Sequence, residues 1–269
     1  MAEHTREFRG EDLTGARFSD VTLAGSRFWR TDLSRARLRA VDLSGAVIRS
    51  ADLVDVQITG WIQNVSVNGV DIGPLIDAEL DRRHPDRSAM RPEDPAGYRR
   101  AWEILERLWG ETVERARTLP EEQLHERVDG EWSFIETLRH LLFATDAWVL
   151  RTILGQASPW SALDLPHDEM RDRPGVPRDR EARPSLEEVL ALRAARTAAV
   201  RQLVDDLSDD RLQARTEPVE GPGYPDADRY SVADCLSTVL NEEFQHRLYA
   251  ERDLAALGAA GDLHPSRMP

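Results

Sequence analysis

The stretch Asn241–Leu254, NEEFQHRLYAERDL, decides how the rest of the chain is read. Glu242 and His246 are four residues apart and Tyr249 follows three later. At about 3.6 residues per turn, a helix projects all three to one side. Such a helix offers two ligands of a three-ligand metal site. A third must come from elsewhere, and the candidate is His140 in GEWSFIETLRHLLFATDAW, a second strongly helical stretch about a hundred residues upstream. Helices that far apart in sequence can still be neighbours in a bundle.

Two histidines and a glutamate with one position left open form a recognised catalytic zinc arrangement. The carboxylate offsets metal charge and the open position takes water or substrate. The same donors suit iron or nickel, so ligand type alone does not choose the metal. The plainer reading is an ordinary i,i+4 pair on α-helical surface beside a core histidine. Tyr249 and His167 are the catalytic candidates. Tyr249 shares the stripe, and His167 sits with Asp168 and Glu169 in PWSALDLPHDEM, which reads as a lid, an extra ligand or a solvated turn. Arg252 lies off the stripe and is expected to pair with a carboxylate. Cys235 precedes Glu242 by two turns, about 10 Å along the axis, too far to share a coordination sphere.

The chain has 269 residues and 41% hydrophobic content, enough for one or two domains with a buried core. A net charge of −14 argues against a nucleic-acid surface, which needs clustered positive charge. There is no apolar run of membrane-spanning length and no secretory signal, so no membrane partner is expected. The single cysteine forms no intramolecular disulfide and fits a reducing compartment, read here as the cytoplasm. All 35 basic residues are arginine, which reads as the codon bias of a GC-rich genome.

The N-terminus divides into five-residue frames: EDLTG, ARFSD, VTLAG, SRFWR, TDLSR, ARLRA, VDLSG, AVIRS, ADLVD, VQITG. The central position is always apolar, from Leu13 through Ile58, with Phe8 one frame earlier. A period of five matches neither a helix nor a strand, so it calls for a solenoid. Residues 6–60 resemble the pentapeptide-repeat family. The resemblance implies a right-handed β-helix of fewer than three coils, its open end capped by the next segment of the chain. Some pentapeptide proteins mimic DNA, but residues 1–60 balance nine arginines against nine acids. A structural module, or one that docks a protein partner, fits that neutrality better.

Residues 61–97 read as a connector with a short helix, Pro74 to Arg83, and a Pro-rich charged linker. From Tyr98 to Leu257 the pattern is helical. Tyr98, Trp102, Leu105, Trp109, Val113 and Ala116 mark a first helix. A second starts at Ser133 and runs to about Leu154, with Ser133 and Glu136 forming a capping box. A third follows Ser185 with Glu188 in the same arrangement, and a fourth runs from near Ser231 to Leu257. Four amphipathic helices predict a four-helix bundle, with 258–269 as a tail. Two long connections, Gln156 to Arg183 and Thr216 to Tyr230, are expected to flank the metal ligands.

EWSFIETLRHLLFATDAW resembles the DinB/YfiT-like family, in which a Trp-Ser pair opens a helix and a histidine follows seven residues after the serine. Here these are Trp132, Ser133 and His140. NEEFQHRLYAERDL is similar to the family's closing helix, where two ligands sit four apart. Many members carry histidine at both positions, whereas Glu242 and His246 match the branch typified by mycothiol-dependent maleylpyruvate isomerase. That resemblance implies a divalent metal, zinc by preference, on His140, Glu242 and His246. It also implies a low-molecular-weight thiol such as mycothiol, activated against a small electrophile by transfer or isomerisation. The resemblance does not extend to the branch's additional C-terminal domain, and the repeats stand in front of the bundle, so its particular substrate is not expected to carry over. The alternative is a non-catalytic interaction module with a structural or vestigial metal site. Either reading is compatible with an oligomer.

Overall fold

The computed structural model describes residues 6–60 and 62–262; Trp61 of the expected connector and the end of the expected tail lie outside them. The chain divides into two compact units between Ile48 and Arg49.

Residues 6–60 keep the five-residue register in the backbone. Positive φ recurs at the last residue of each frame, from Gly15 and Asp20 to Asp55 and Gly60. In alternate frames a turn closes through a backbone bond, Ala16 N to Leu13 O at 2.9 Å and Ala36 N to Leu33 O at 3.0 Å. Gly15, at φ 79°, occupies the third position of such a turn, where a left-handed backbone is required. Asp12, Asp32 and Asp42 brace their turns by accepting from the amide two residues on. Among the described residues this segment contains neither helix nor strand. The central side chains, expected inside a β-helical coil, are 44–77% exposed from Leu13 to Ile58. The reason is that the backbone bonds here are short-range and close single turns, so they impose the local register without bringing distant frames against one another.

After this come a two-residue hairpin, β1 (Ser66–Val67) and β2 (Val70–Asp71), and helix α1 (Gly73–Arg83), which buries no residue. The long helices come next: α2 (Pro95–Ala116), α3 (Phe134–Thr145), α4 (Leu186–Asp205) and, after the short α5 (Asp209–Gln213), α6 (Val232–Asp262). Their starts are set by local chemistry. Asp94 accepts from Gly97 N ahead of α2, and both predicted capping boxes, Ser133 with Glu136 and Ser185 with Glu188, are complete. The predicted second helix is one continuous run in two forms, since α3 passes into a π-helix over Asp146–Ile153. There Thr152 Oγ1 donates to Ala147 O five residues back, at 2.8 Å.

In the bundle α2 and α3 each lie against both α4 and α6. The interior is filled by the predicted apolar stripes: Trp102 and Leu105 meet Val200, Leu203 and Leu240, while Leu138 and Leu141 meet Val189 and Leu254. Two buried arginines gather the long loops. Arg139 donates to the carbonyls of Leu163, Asp179 and Ala182. Arg151 donates to those of Ala157, Val219 and Gly221. Among the described residues no helix is long and apolar enough to cross a membrane.

Candidate metal centre

Because α3 lies along α6, the buried stripe of one meets the central turns of the other. His140 Nε2 comes to 3.2 Å from Glu242 Oε2, and His246 Nδ1 is 3.2 Å from the same oxygen. The imidazole rings of His140 and His246 are 4.8 Å apart. One donor atom from each of the three residues lies within 4.8 Å of the others. Two donors sharing an ion at about 2.1 Å are at most about 4.2 Å apart, so small side-chain adjustments bring the set onto one centre. His140 is 6% exposed, His246 18% and Glu242 29%, so the cluster is sealed behind His140 and reached past Glu242.

Both rings are oriented by backbone carbonyls. His140 Nδ1 donates to Leu165 O at 3.0 Å and His246 Nδ1 donates to Glu242 O at 2.9 Å. This leaves each Nε2 as the ligating atom, the arrangement typical of metal-bound imidazoles. Burial pushes His246 down to about 4, helped by the neighbouring His140, which keeps its ring neutral and able to ligate. Burial alone would raise Glu242. The contact with His140 Nε2, together with the electrostatic influence of His140, His246 and His167 around it, instead brings its carboxyl below the ordinary value. A negative carboxylate between two imidazoles fits a divalent cation.

Trp132 covers the cluster from one side. Its ring is 4.6 Å from that of His140 and stacks on His246 at 5.9 Å, while its Nε1 donates to Asp168 Oδ1 at 3.3 Å. Both long loops reach the site as expected. The first supplies Leu165 O; the second supplies Tyr224, which packs on Phe143 at 5.6 Å and against His167 at 6.1 Å. His167 pairs with Glu169 at 3.2 Å and stands outside the three-residue set, within electrostatic reach of Glu242. Tyr249 packs edge-on against His246 at 6.0 Å, with Arg252 over its ring. Arg252 pairs with Asp253 at 2.7 Å. Cys235 is buried, and burial with Asp234 pushes its thiol up to about 12, too high for a nucleophilic thiolate.

Two features of the site escape a reading of the sequence. Trp132 is legible as a motif residue, but its position over both imidazoles depends on how the helices pack. The orienting carbonyl of Leu165 is unforeseeable, because a main-chain oxygen leaves no residue-type signal.

A family model described as the DinB superfamily matches residues 104–250, more than half of the chain. A family model described as pentapeptide repeats (8 copies) matches twice, over residues 12–50 and 30–60. No curated protein and no solved structure matches the chain significantly.

Proposed function

Because the chain belongs to the DinB superfamily, we propose that His140, Glu242 and His246 hold a divalent metal ion, zinc in the first instance, and that this site activates a low-molecular-weight thiol toward a small electrophile. The observation that carries the reading is the convergence of three donors from two helices on one partly open cluster. When bound, a divalent ion supplies the positive charge that favours the thiolate of an entering thiol. The chain's residues do the rest. Glu242 contributes one negative charge, and the two imidazoles bind without adding charge. Trp132 keeps water from one side, and Tyr224 with His167 forms a wall from the loops. His167, on the loop beside the cluster, is the candidate base for the thiol proton; as sulfur bonds to the electrophilic carbon, the electron pair passes to that carbon's leaving group or conjugated carbonyl oxygen, which takes up the proton. The Glu242 and His246 pattern supports the mycothiol-using branch as the source of the thiol.

The test uses protein purified without a His tag. About one zinc, iron or nickel ion per chain is expected, together with faster alkylation of a small thiol than in metal-stripped protein. Failure to take up any of these ions would overturn the reading. Metal uptake without thiol chemistry would favour the second reading, a non-catalytic interaction module. The exposed apolar row from Leu13 to Ile58 supports that alternative, since it offers the repeats a surface for a protein partner.

A further inference from the structure

His140 owes its orientation to one carbonyl on a long loop, so whatever fixes that carbonyl acts on the metal-binding nitrogen. The loop segment Ser161–Leu165 is strapped along α3 at two adjacent residues. Arg139 Nε donates to Leu163 O at 2.8 Å, Leu165 N donates to Arg139 O at 3.2 Å, and His140 Nδ1 donates to Leu165 O at 3.0 Å. Between these contacts the side chain of Asp164 enters the protein and is fully buried. Its Oδ2 accepts from Ser161 N at 3.2 Å, and Asp164 N donates to Ser161 O at 3.1 Å, closing a tight turn. Its carboxyl meets Asp146, also fully buried, at the start of the π-helix. Asp146 in turn accepts from Arg196 of α4 at 2.9 and 2.8 Å.

Two buried carboxyls beside one arginine are tolerable only if they share a proton. Burial and the charge of Asp146 push Asp164 up, and burial raises Asp146 too, so the pair favours holding one proton between them. Asp164 Oδ1 is buried and accepts no hydrogen bond, so it is the oxygen free to carry a proton directed at Asp146. Arg196 donates to both oxygens of Asp146, which favours the shared proton on Asp164, with Asp164 as donor and Asp146 as acceptor. The three come from three separate elements and fix the loop beside α3.

We propose that Asp164 is a positioning residue: its buried carboxyl, seated on the Asp146–Arg196 pair, fixes the Leu165 carbonyl and so holds His140 with Nδ1 as donor and Nε2 turned toward Glu242 and His246. The effect on metal affinity rests on the metal-binding reading; the effect on the His140 ring does not.

The experiment compares Asp164→Asn, Asp164→Ala and the wild-type chain by two measurements. One is nitrogen-15 NMR of the metal-free protein, following the slowly exchanging Nδ1–H of His140. The other is zinc affinity by chelator competition. Asparagine keeps a donor for Asp146 and an acceptor for Ser161, so Asp164→Asn retains the Nδ1–H signal and binds zinc within about threefold of wild type. Asp164→Ala loses the protected signal and about 10–100-fold in zinc affinity, the range typical of outer-sphere partners of metal ligands. A purely structural staple would lower melting temperature in Asp164→Ala yet leave the Nδ1–H signal in place, and that result would overturn the proposal. So would an Asp164→Asn chain as impaired as Asp164→Ala. If the wild-type chain binds no zinc, the metal reading fails while the NMR comparison still decides this one. Should Asp164→Ala not fold, Asp164→Ser replaces the carboxyl with one hydroxyl, too short to reach Ser161 N and Asp146 at once. Faster exchange of the His140 Nδ1 proton is then expected, and wild-type exchange would overturn the proposal.

Discussion

The repeats and the helical bundle are both periodic, yet only one of them converts its period into burial. From Leu13 to Ile58 every central side chain of the repeats is at least 44% exposed, whereas Leu138 and Leu141 of α3 are wholly buried. The repeat's order lives in its turns. A left-handed residue every fifth position and the Asx bonds of Asp12, Asp32 and Asp42 under three of the four closed turns need no distant partner. The bundle's order lives in packing: each helix is capped locally, but its apolar stripe gains stability only against other helices. The chemistry obeys the same divide. Donors that must stay neutral and oriented are gathered where water is excluded, and the repeats hold no comparable enclosure among the described residues.

The sharpest way to break this contrast is at the cluster itself. His246→Ala is expected to lower zinc affinity by more than about a thousandfold while the bundle stays folded, because two ligands hold a divalent ion far less well than three. Competition with a chelator, beside a circular-dichroism melt, reads both quantities, and full metal occupancy in the variant would defeat the ligand assignment. Next in size comes a matched pair of truncations. Leu138→Ala opens a cavity in a core that has no exposure and should cost about 3 kcal/mol by urea unfolding. Leu33→Ala, at a repeat position 56% exposed, should cost about 0.5 kcal/mol or less. A loss of about 2 kcal/mol or more at Leu33 would instead show the repeats wound around a closed coil.

A smaller effect concerns pH. The folded chain holds His246 well below its ordinary value of 6.5, at about 4, so between these limits the unfolded chain binds the extra proton. Stability of the metal-free protein is therefore fully present above about pH 6.5 and is lost as pH falls toward 4. The lowered carboxyl of Glu242 adds loss in the same direction at the acid end. Melting temperatures across this range should fall, and His246→Gln should flatten the slope. An equal slope in that variant would place the titration elsewhere.

Much of the molecule was legible from neighbouring residues. The turn register, both capping boxes, the apolar stripe of α2, the start of α4, and the shared face of Glu242 and His246 all depend on contacts within a few positions, which sequence spacing encodes directly; α2 itself begins three residues before the expected Tyr98, at Pro95 behind its Asp94 cap. The tertiary structure alone decided that α3 lies beside α6, bringing His140 to Glu242 across 102 positions. It also decided that Trp132 covers both imidazoles, that the Leu165 carbonyl orients one of them, and that Asp164 is buried against Asp146. Periodicity shows that a face will be buried, and the choice of partner belongs to the packing of all four helices and their loops at once.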